Sequence, residues 1–117
     1  MTDDRERLRD ILEAVGAVEL YSLRGRSAFE TDELIQVWMV HHLQIIGEAA
    51  RRLSEDLRQR YPEVPWAQII AMRNVLVHDY FAIDFKEVWS AVERDVPMLK
   101  RHVANILEEL EKRSDRA

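Results

Sequence analysis

The chain has no cysteine, only three glycines and three prolines, and no long apolar run. Without cysteine, disulfides, thiolate catalysis and thiolate-bound zinc are excluded. The few scattered glycines provide no phosphate loop, dinucleotide fingerprint or nucleophile elbow. The charged start, residues 1–7, lacks the apolar segment of a secretory signal, and no run is long enough to cross a bilayer. These absences predict a cytoplasmic protein that does not act at a membrane.

The composition predicts one all-α domain over residues 1–117. That length is close to the usual size for a single core, and an apolar fraction of 47% is enough to build one. The scarcity of glycine and proline, beside many charged, leucine and alanine residues, favours helices. The net charge of −5 argues against a simple nucleic-acid binder. A local arginine cluster can still attract an anion into a cleft.

Apolar spacing and capping residues predict four main helices, at about 4–21, 32–60, 65–78 and 84–112. Residues 23–30 are expected to form a loop, and Thr31 to cap the second helix. Pro97 should kink or break the fourth helix, with Asp95 capping its second part. The third helix is apolar on most of its surface, which is typical of a helix at the centre of a bundle. Gly47 predicts close approach of another helix, from this chain or a second copy.

Chemistry-bearing side chains gather at the end of the third helix: Arg73, Asn74, His78, Asp79 and Tyr80. An imidazole exchanges protons near neutral pH, and a guanidinium is a permanent cation whose planar fork suits phosphate oxygens. Together they suggest phosphodiester chemistry. A single histidine at a helix end also often caps the last carbonyls. Spacing alone leaves both interpretations open.

The motif Arg73-x4-His78-x-Tyr80 resembles the signature R-x4-H-x-Y of the HepT-like subgroup of HEPN (higher eukaryote and prokaryote nucleotide-binding) domains. Three further blocks are similar to that family: residues 43–51 with Gly47 and Glu48, Pro65-Trp66, and residues 88–97. The resemblance therefore covers most of the chain, in order.

This resemblance implies a four-to-five-helix up-down bundle that forms a homodimer, or a larger assembly, with a composite cleft. It implies an RNase toxin of a type VII toxin–antitoxin system, with Arg73 and His78 as catalytic residues and no metal or cofactor. Asn74 and Asp79 would be supporting residues. The partner would be an MntA-like minimal nucleotidyltransferase, the antitoxin, which transfers AMP from ATP to Tyr80. RNA cleavage would leave a 2′,3′-cyclic phosphate and a 5′-hydroxyl.

Helical geometry complicates this expectation. Asn74 and His78 lie on one face, but Arg73 and His78 lie about 140° apart on an ideal helix. Either the helix unwinds after Val77, or the two groups meet across a dimer. The alternative function is a non-catalytic helical module that binds a nucleotide or a protein. In that module, the arginine and histidine would only bind a nucleotide or cap the helix.

Overall fold

The computed structural model describes the backbone of residues 3–116 and the side chains of residues 3–79 and 81–113. This part of the chain contains helices and no strand, as predicted. The helices are α1 Asp4–Ser22, α2 Gly25–Thr31, α3 Glu33–Arg52, α4 Glu55–Arg60, α5 Trp66–His78, α6 Phe85–Ser90 and α7 Val96–Arg116. A 3₁₀ turn at Tyr80–Ala82 follows α5, and a π-helical stretch at Ala91–Asp95 joins α6 to α7. The all-α class is confirmed.

The four long helices form an up-down bundle. The end of α3 meets the start of α1, because the Ser54 backbone N–H and hydroxyl donate to Asp4 at 2.8 and 2.7 Å. The end of α7 likewise returns to the start of α1, where Arg9 and Glu111 pair at 3.0 Å. Helix α3 has α1 on one side and α5 on the other. The helix that carries the motif is therefore held mainly by α3.

The core is a single apolar cluster shared by the long helices. Its α1 members recur at helical spacing, as the sequence predicted, and α3 and α7 contribute matching stripes. The most completely buried side chains are Leu8, Ile11, Val15, Val18, Phe29, Met39, Leu57, Val88 and Val103. Burial of apolar side chains at this spacing is the main force that aligns the helices.

The predicted loop at residues 23–30 is wrong, because α2 occupies most of it. Gly25 has a φ of +88°, which lets the chain turn directly from α1 into α2. Phe29 then anchors this short helix in the core at 1% exposure. Thr31 ends α2, and its hydroxyl donates to the Ser27 carbonyl. Asp32 caps α3 instead, since its carboxylate accepts from Leu34 N at 2.9 Å.

The long second helix predicted at 32–60 is interrupted. Leu53 leaves the helical path with a ψ of 146°, and its side chain is buried at 2% exposure. Ser54 then caps α4, accepting from Leu57 N at 3.1 Å. The apolar spacing of this segment also predicts that Leu34 is buried, but it is 80% exposed in the first turn of α3. The break follows from the buried leucine and the cap, without a Gly or Pro at either position.

The helical path is not interrupted before Pro97, and Asp95 does not cap α7, because it lies within a π-helical stretch that runs into α7. The five residues before α7 form a π-helical turn, in which Val96 N donates to the Ala91 carbonyl, five residues back. Proline lacks the N–H that an α-helical pattern would need at this point. The wider turn accommodates the missing donor, and α7 begins without a gap.

Helix α5 is not central, contrary to the prediction from its apolarity. Among its residues only Trp66 and Leu76 are fully buried, whereas Val75 and Val77 are 48% and 41% exposed. One apolar face of α5 therefore packs against α3, and Val75 and Val77 leave apolar surface exposed on either side of the buried Leu76. Both valines lie in the last turn of α5, beside motif residues.

Candidate active site

Arg73 lies where α5 comes closest to α3. A Cβ built on Gly47 would overlap the Arg73 Cβ and lie 2.8 Å from its Cγ and 3.3 Å from its Cα. The close approach predicted from Gly47 is thus present, and the approaching helix belongs to the same chain. Only a residue without a side chain fits at position 47, so the backbone at Arg73 rests directly on α3.

The Arg73 guanidinium is held by two neighbours. Its Nη1 donates to Asn74 Oδ1 at 3.0 Å, and its Nη2 pairs with Glu48 Oε2 at 3.2 Å. The Arg73 side chain is 22% exposed, and its Nε has no hydrogen-bond partner among the described residues. A guanidinium has five N–H donors, so donors remain for an incoming anion. Arg73 is fixed in direction but is not saturated.

Glu48 is shared by three arginines. Its Oε1 accepts from Arg51 Nη2 at 2.8 Å and Arg52 Nε at 2.9 Å. Its Oε2 accepts from Arg51 Nε at 3.2 Å and faces Arg73. Hydrogen bonds from Arg51 and then Arg52, with the charges of Arg51 and Arg73, lower the pKa of Glu48 to about 2, against the opposing effect of burial. The carboxylate is ionised at neutral pH, and the cluster keeps a net positive charge.

His78 is the last residue of α5, and its side chain is exposed. The helix stays regular to this point, because Asp79 N donates to the Val75 carbonyl at 3.0 Å. Gln44 of α3 donates from Nε2 to the Leu76 carbonyl at 2.9 Å, which satisfies one of the free carbonyls of the last turn. The helix therefore does not unwind after Val77. Arg73 and His78 of one chain remain on different sides of α5.

Asp79 and Tyr80 follow the helix end. Asp79 is exposed and forms the C-cap of α5, and its carbonyl accepts from Ala82 N at 3.0 Å. The backbone of Tyr80 begins the 3₁₀ turn, two residues after His78. The side chain of Tyr80 lies outside the described residues. The structure thus brings Arg73 and Asn74 together by a hydrogen bond, keeps Asn74 and His78 on one face of the regular helix, and leaves His78 on a different side of α5 from Arg73.

Sequence reasoning missed Glu48 as a site residue. The signal was present, since Gly47-Glu48 belongs to one of the blocks that carried the family resemblance. A glycine lets a neighbouring helix come close. A carboxylate on the next residue then lies near the side chains of that neighbouring helix. The sequence alone does not say that the neighbour carries Arg73.

The other histidines form no further site in the described structure. His42 Nδ1 lies 2.9 Å from the Trp38 carbonyl oxygen. The ring of the exposed His41 packs edge to face on the His42 ring, with the ring centroids 5.0 Å apart. Among the described side chains, no three His, Asp or Glu residues are grouped so as to hold a metal ion. None of the helices within residues 3–116 is long and apolar enough to cross a membrane.

Comparison with known proteins gives consistent matches. The profile of the family described as "Ribonuclease HepT-like" matches residues 11–106 of the chain. A candidate RNase of Methanocaldococcus jannaschii is 36% identical over 102 residues, which cover 86% of this chain and 94% of that protein. The probable ribonuclease HepT of Thermococcus cleftensis is 34% identical over 97 residues, covering 82% and 88%.

A second M. jannaschii protein, named as a gamma-glutamylcyclotransferase and candidate RNase, is 34% identical over 106 residues. The alignment covers 90% of this chain and 48% of that protein, so the chain spans about half of that relative. No solved structure matches the chain.

Proposed function

The chain belongs to the Ribonuclease HepT-like family, and on that basis we propose that it is an endoribonuclease whose catalytic residues are Arg73 and His78. The observation that carries the proposal is that one helix presents two different reactive groups. A guanidinium fixed by Glu48 and Asn74 lies on one side, and an exposed imidazole lies at the end. An imidazole can transfer the protons, and a guanidinium can stabilise the growing charge, when an internal hydroxyl cleaves a phosphodiester.

In the proposed reaction, the His78 imidazole takes the proton from a ribose 2′-hydroxyl. The freed oxygen forms a bond to phosphorus, and the bond from phosphorus to the 5′-oxygen breaks. The leaving oxygen takes up a proton from an imidazolium or from water. Arg73 holds the phosphate and stabilises the charge that grows on its oxygens in the transition state. The products are a 2′,3′-cyclic phosphate and a 5′-hydroxyl, and no step calls for a metal ion.

The proposed active form is a homodimer whose cleft combines Arg73 of one protomer with His78 of its partner. Regular helix through His78 keeps the two groups of one chain about 140° apart. Val75 and Val77, exposed on either side of the buried Leu76, and Phe81 after the helix offer apolar surface that a second copy of the chain could cover. Two copies would also bring two arginine clusters to one cleft, which favours an anionic substrate.

The supporting residues have separate proposed roles. Asn74 fixes the direction of the Arg73 guanidinium through its 3.0 Å hydrogen bond, and its amide N–H₂ remains a donor for a phosphate oxygen. Asp79, exposed beside His78, would fix the tautomer of that imidazole. The role of Asn74 rests on a hydrogen bond within one chain, and that of Asp79 on its position next to His78.

The proposed regulation is AMP transfer to Tyr80 by an MntA-like nucleotidyltransferase antitoxin, as in a type VII toxin–antitoxin system. The Tyr80 backbone lies two residues from His78, immediately after the helix end. An adenylate there would add bulk and negative charge beside the imidazole. Charge repulsion would then keep RNA out of the cleft, by the rules that govern phosphorylation.

The test compares wild type, Arg73→Ala and His78→Ala by growth of expressing cells and by the ends of cleaved RNA. Each substitution should lower cleavage on the order of 10²-fold or more. Arg101→Ala and His102→Ala, neighbours on α7, are the matched controls and should cleave like wild type. The purified protein should cleave an RNA oligonucleotide in the presence of EDTA and leave its 2′-O-methyl analogue intact. Equal harmlessness of all variants would favour a non-catalytic binding module.

A further inference from the structure

We propose that Glu48 is a positioning residue for the reaction: it holds the Arg73 guanidinium in its working direction, while Arg51 and Arg52 keep the site positive. The inference rests on the proposed function, because it assigns how the catalytic arginine is held. It extends the site from α5 to α3. The observations behind it are the packing at Gly47, the ion pair of Glu48, and the ratio of charges around that carboxylate.

The packing fixes where the Arg73 side chain begins. Because a Cβ on Gly47 would overlap the Arg73 Cβ, the first atoms of the Arg73 side chain pack directly on α3 at Gly47. The residue that follows Gly47 is Glu48, so its carboxylate starts one residue away from the closest contact of the two helices. An arginine is long and flexible, and fixing its root alone would leave the guanidinium free to swing.

The ion pair fixes where the side chain ends. Glu48 Oε2 and Arg73 Nη2 lie 3.2 Å apart, and their side chains are only 29% and 22% exposed. Asn74 Oδ1 accepts from Nη1 at 3.0 Å, so the two terminal nitrogens of the guanidinium have separate partners, one by hydrogen bond and one by ion pair. Such a two-point hold sets the plane of a guanidinium, which a single contact cannot do. Positioning of this kind lowers the barrier because the group need not be ordered during the reaction.

A carboxylate beside a phosphate-binding arginine would ordinarily repel RNA. Here Arg51 and Arg52, which are 51% and 55% exposed, bind the same carboxylate. Three guanidiniums against one carboxylate leave a net charge of about +2 at the cluster by simple addition. Glu48 can therefore orient Arg73 without making the site acidic. The arrangement also gives a basic spot to a chain whose net charge is −5.

Positioning and simple charge predict opposite outcomes for Glu48→Gln. If Glu48 were only a negative charge near the substrate, its removal would tighten RNA binding and leave the rate equal or higher. If it positions Arg73, kcat should fall on the order of 10²-fold even though KM for RNA is unchanged or lower. Glu48→Asp keeps the charge on a shorter side chain and should recover part of the lost kcat.

The experiment measures kcat and KM on a labelled mixed-sequence RNA oligonucleotide, using the purified full-length protein. Glu108→Gln is the matched control, since Glu108 forms an exposed i,i+4 pair with Lys112 on α7. It should behave like wild type. Circular dichroism and thermal melts confirm that each variant is folded. A second arm, Arg51→Gln with Arg52→Gln, should raise KM and weaken the salt dependence of RNA binding, with little change in kcat.

The possible failures are distinguishable. If Arg73→Ala and His78→Ala are inactive while Glu48→Gln and Glu48→Ala keep the wild-type kcat, the positioning role is overturned and the proposed function stands. If wild type, Arg73→Ala and His78→Ala all cleave equally, the proposed function is overturned and the role of Glu48 with it. A lower kcat for Glu48→Gln at unchanged or lower KM supports both.

Discussion

Gly47 and Arg73 share one point of contact between two helices, with no room for a side chain on the α3 side. This relationship gives a glycine in the middle of α3 a definite purpose. Glycine costs a helix roughly 1 kcal/mol relative to alanine. The cost is offset by contact between α3 and α5 at the residue proposed to hold the phosphate.

Gly47→Ala should destabilise the protein, whereas Gly16→Ala should stabilise it. An alanine at 47 gains roughly 1 kcal/mol in helix propensity but incurs an overpacking cost of about 1–3 kcal/mol. Relief of that overlap requires α5 to move, since Arg73 Cα would lie only 3.3 Å from the new Cβ. At Gly16 nothing lies within 4 Å of an added Cβ, so only the gain remains. Thermal melts of both variants, with RNase assays, provide the measurement. Stabilisation of both would show that α5 can back away from α3 without cost.

Mixtures of inactive variants should regain activity if the cleft is composite. A heterodimer of Arg73→Ala and His78→Ala has one intact guanidinium and one intact imidazole on opposite protomers, so it can form a cleft with one of each. A site built within one chain would have no complete copy in such a mixture. Co-expression followed by an RNase assay is the measurement. The control pairs Arg73→Ala with the double variant and should stay inactive. No recovery, despite heterodimers seen by mass spectrometry, would argue for a site within one chain.

The stabilisation contributed by Glu48 should depend on pH in a defined direction. Its pKa is lowered from 4.5 to about 2 in the folded chain, chiefly by the hydrogen bond from Arg51. A depressed pKa means that the contribution is fully present above pH 4.5 and is lost as the pH falls towards 2. Urea denaturation of wild type and Glu48→Gln should show a constant difference in free energy from pH 7 to 5. The difference should shrink at pH 3. A difference independent of pH would mean that the carboxylate has no stronger partners in the folded state than in the unfolded one.

Tyr80→Phe should keep RNA cleavage but abolish its regulation by AMP transfer. The hydroxyl is the proposed acceptor of AMP, and the proposed cleavage does not use it. The variant should therefore cleave RNA at close to the wild-type rate and remain active when an MntA-like nucleotidyltransferase and ATP are added. Intact-mass measurement should show one added AMP on wild type and on the control Tyr21→Phe, and none on Tyr80→Phe. Labelling of Tyr80→Phe would place the modification at another residue.

The parts of this fold that could be predicted are those with purely local causes. Helix α1 follows from its apolar spacing, and α5 begins just after Pro65 and ends at His78, as expected. The break at Leu53 and Ser54 could not be predicted, because it depends on a serine that bonds Asp4 some fifty residues away. No glycine or proline signals it. A tertiary contact there outweighs a helical pattern that is locally continuous.

The candidate site also combines features that could be predicted from the sequence with features that depend on tertiary contacts. The motif predicts Arg73 and His78 as catalytic residues, which stays a prediction, and the close approach of another helix predicted from Gly47 is present. Which helix approaches is a property of the bundle, so the pairing of Glu48 with Arg73 could not be derived from spacing. The peripheral position of α5 was also missed. Its apolarity predicts a helix at the centre of the bundle, whereas Val75 and Val77 are 48% and 41% exposed.

Helix α5 is held on α3 at two points that lie one turn apart. One is the hydrogen bond from Gln44 to the Leu76 carbonyl, and the other is the close contact between Gly47 and Arg73. Two residues of α3, three positions apart, thus fix where the segment that ends in His78 lies along α3. The connection through residues 61–65 fixes the other end of α5, because Val64 is 2% exposed in the core and the Tyr61 carbonyl accepts from Trp66 Nε1 at 3.0 Å. An insertion engineered there should therefore displace Val64 and shift the start of α5 along α3.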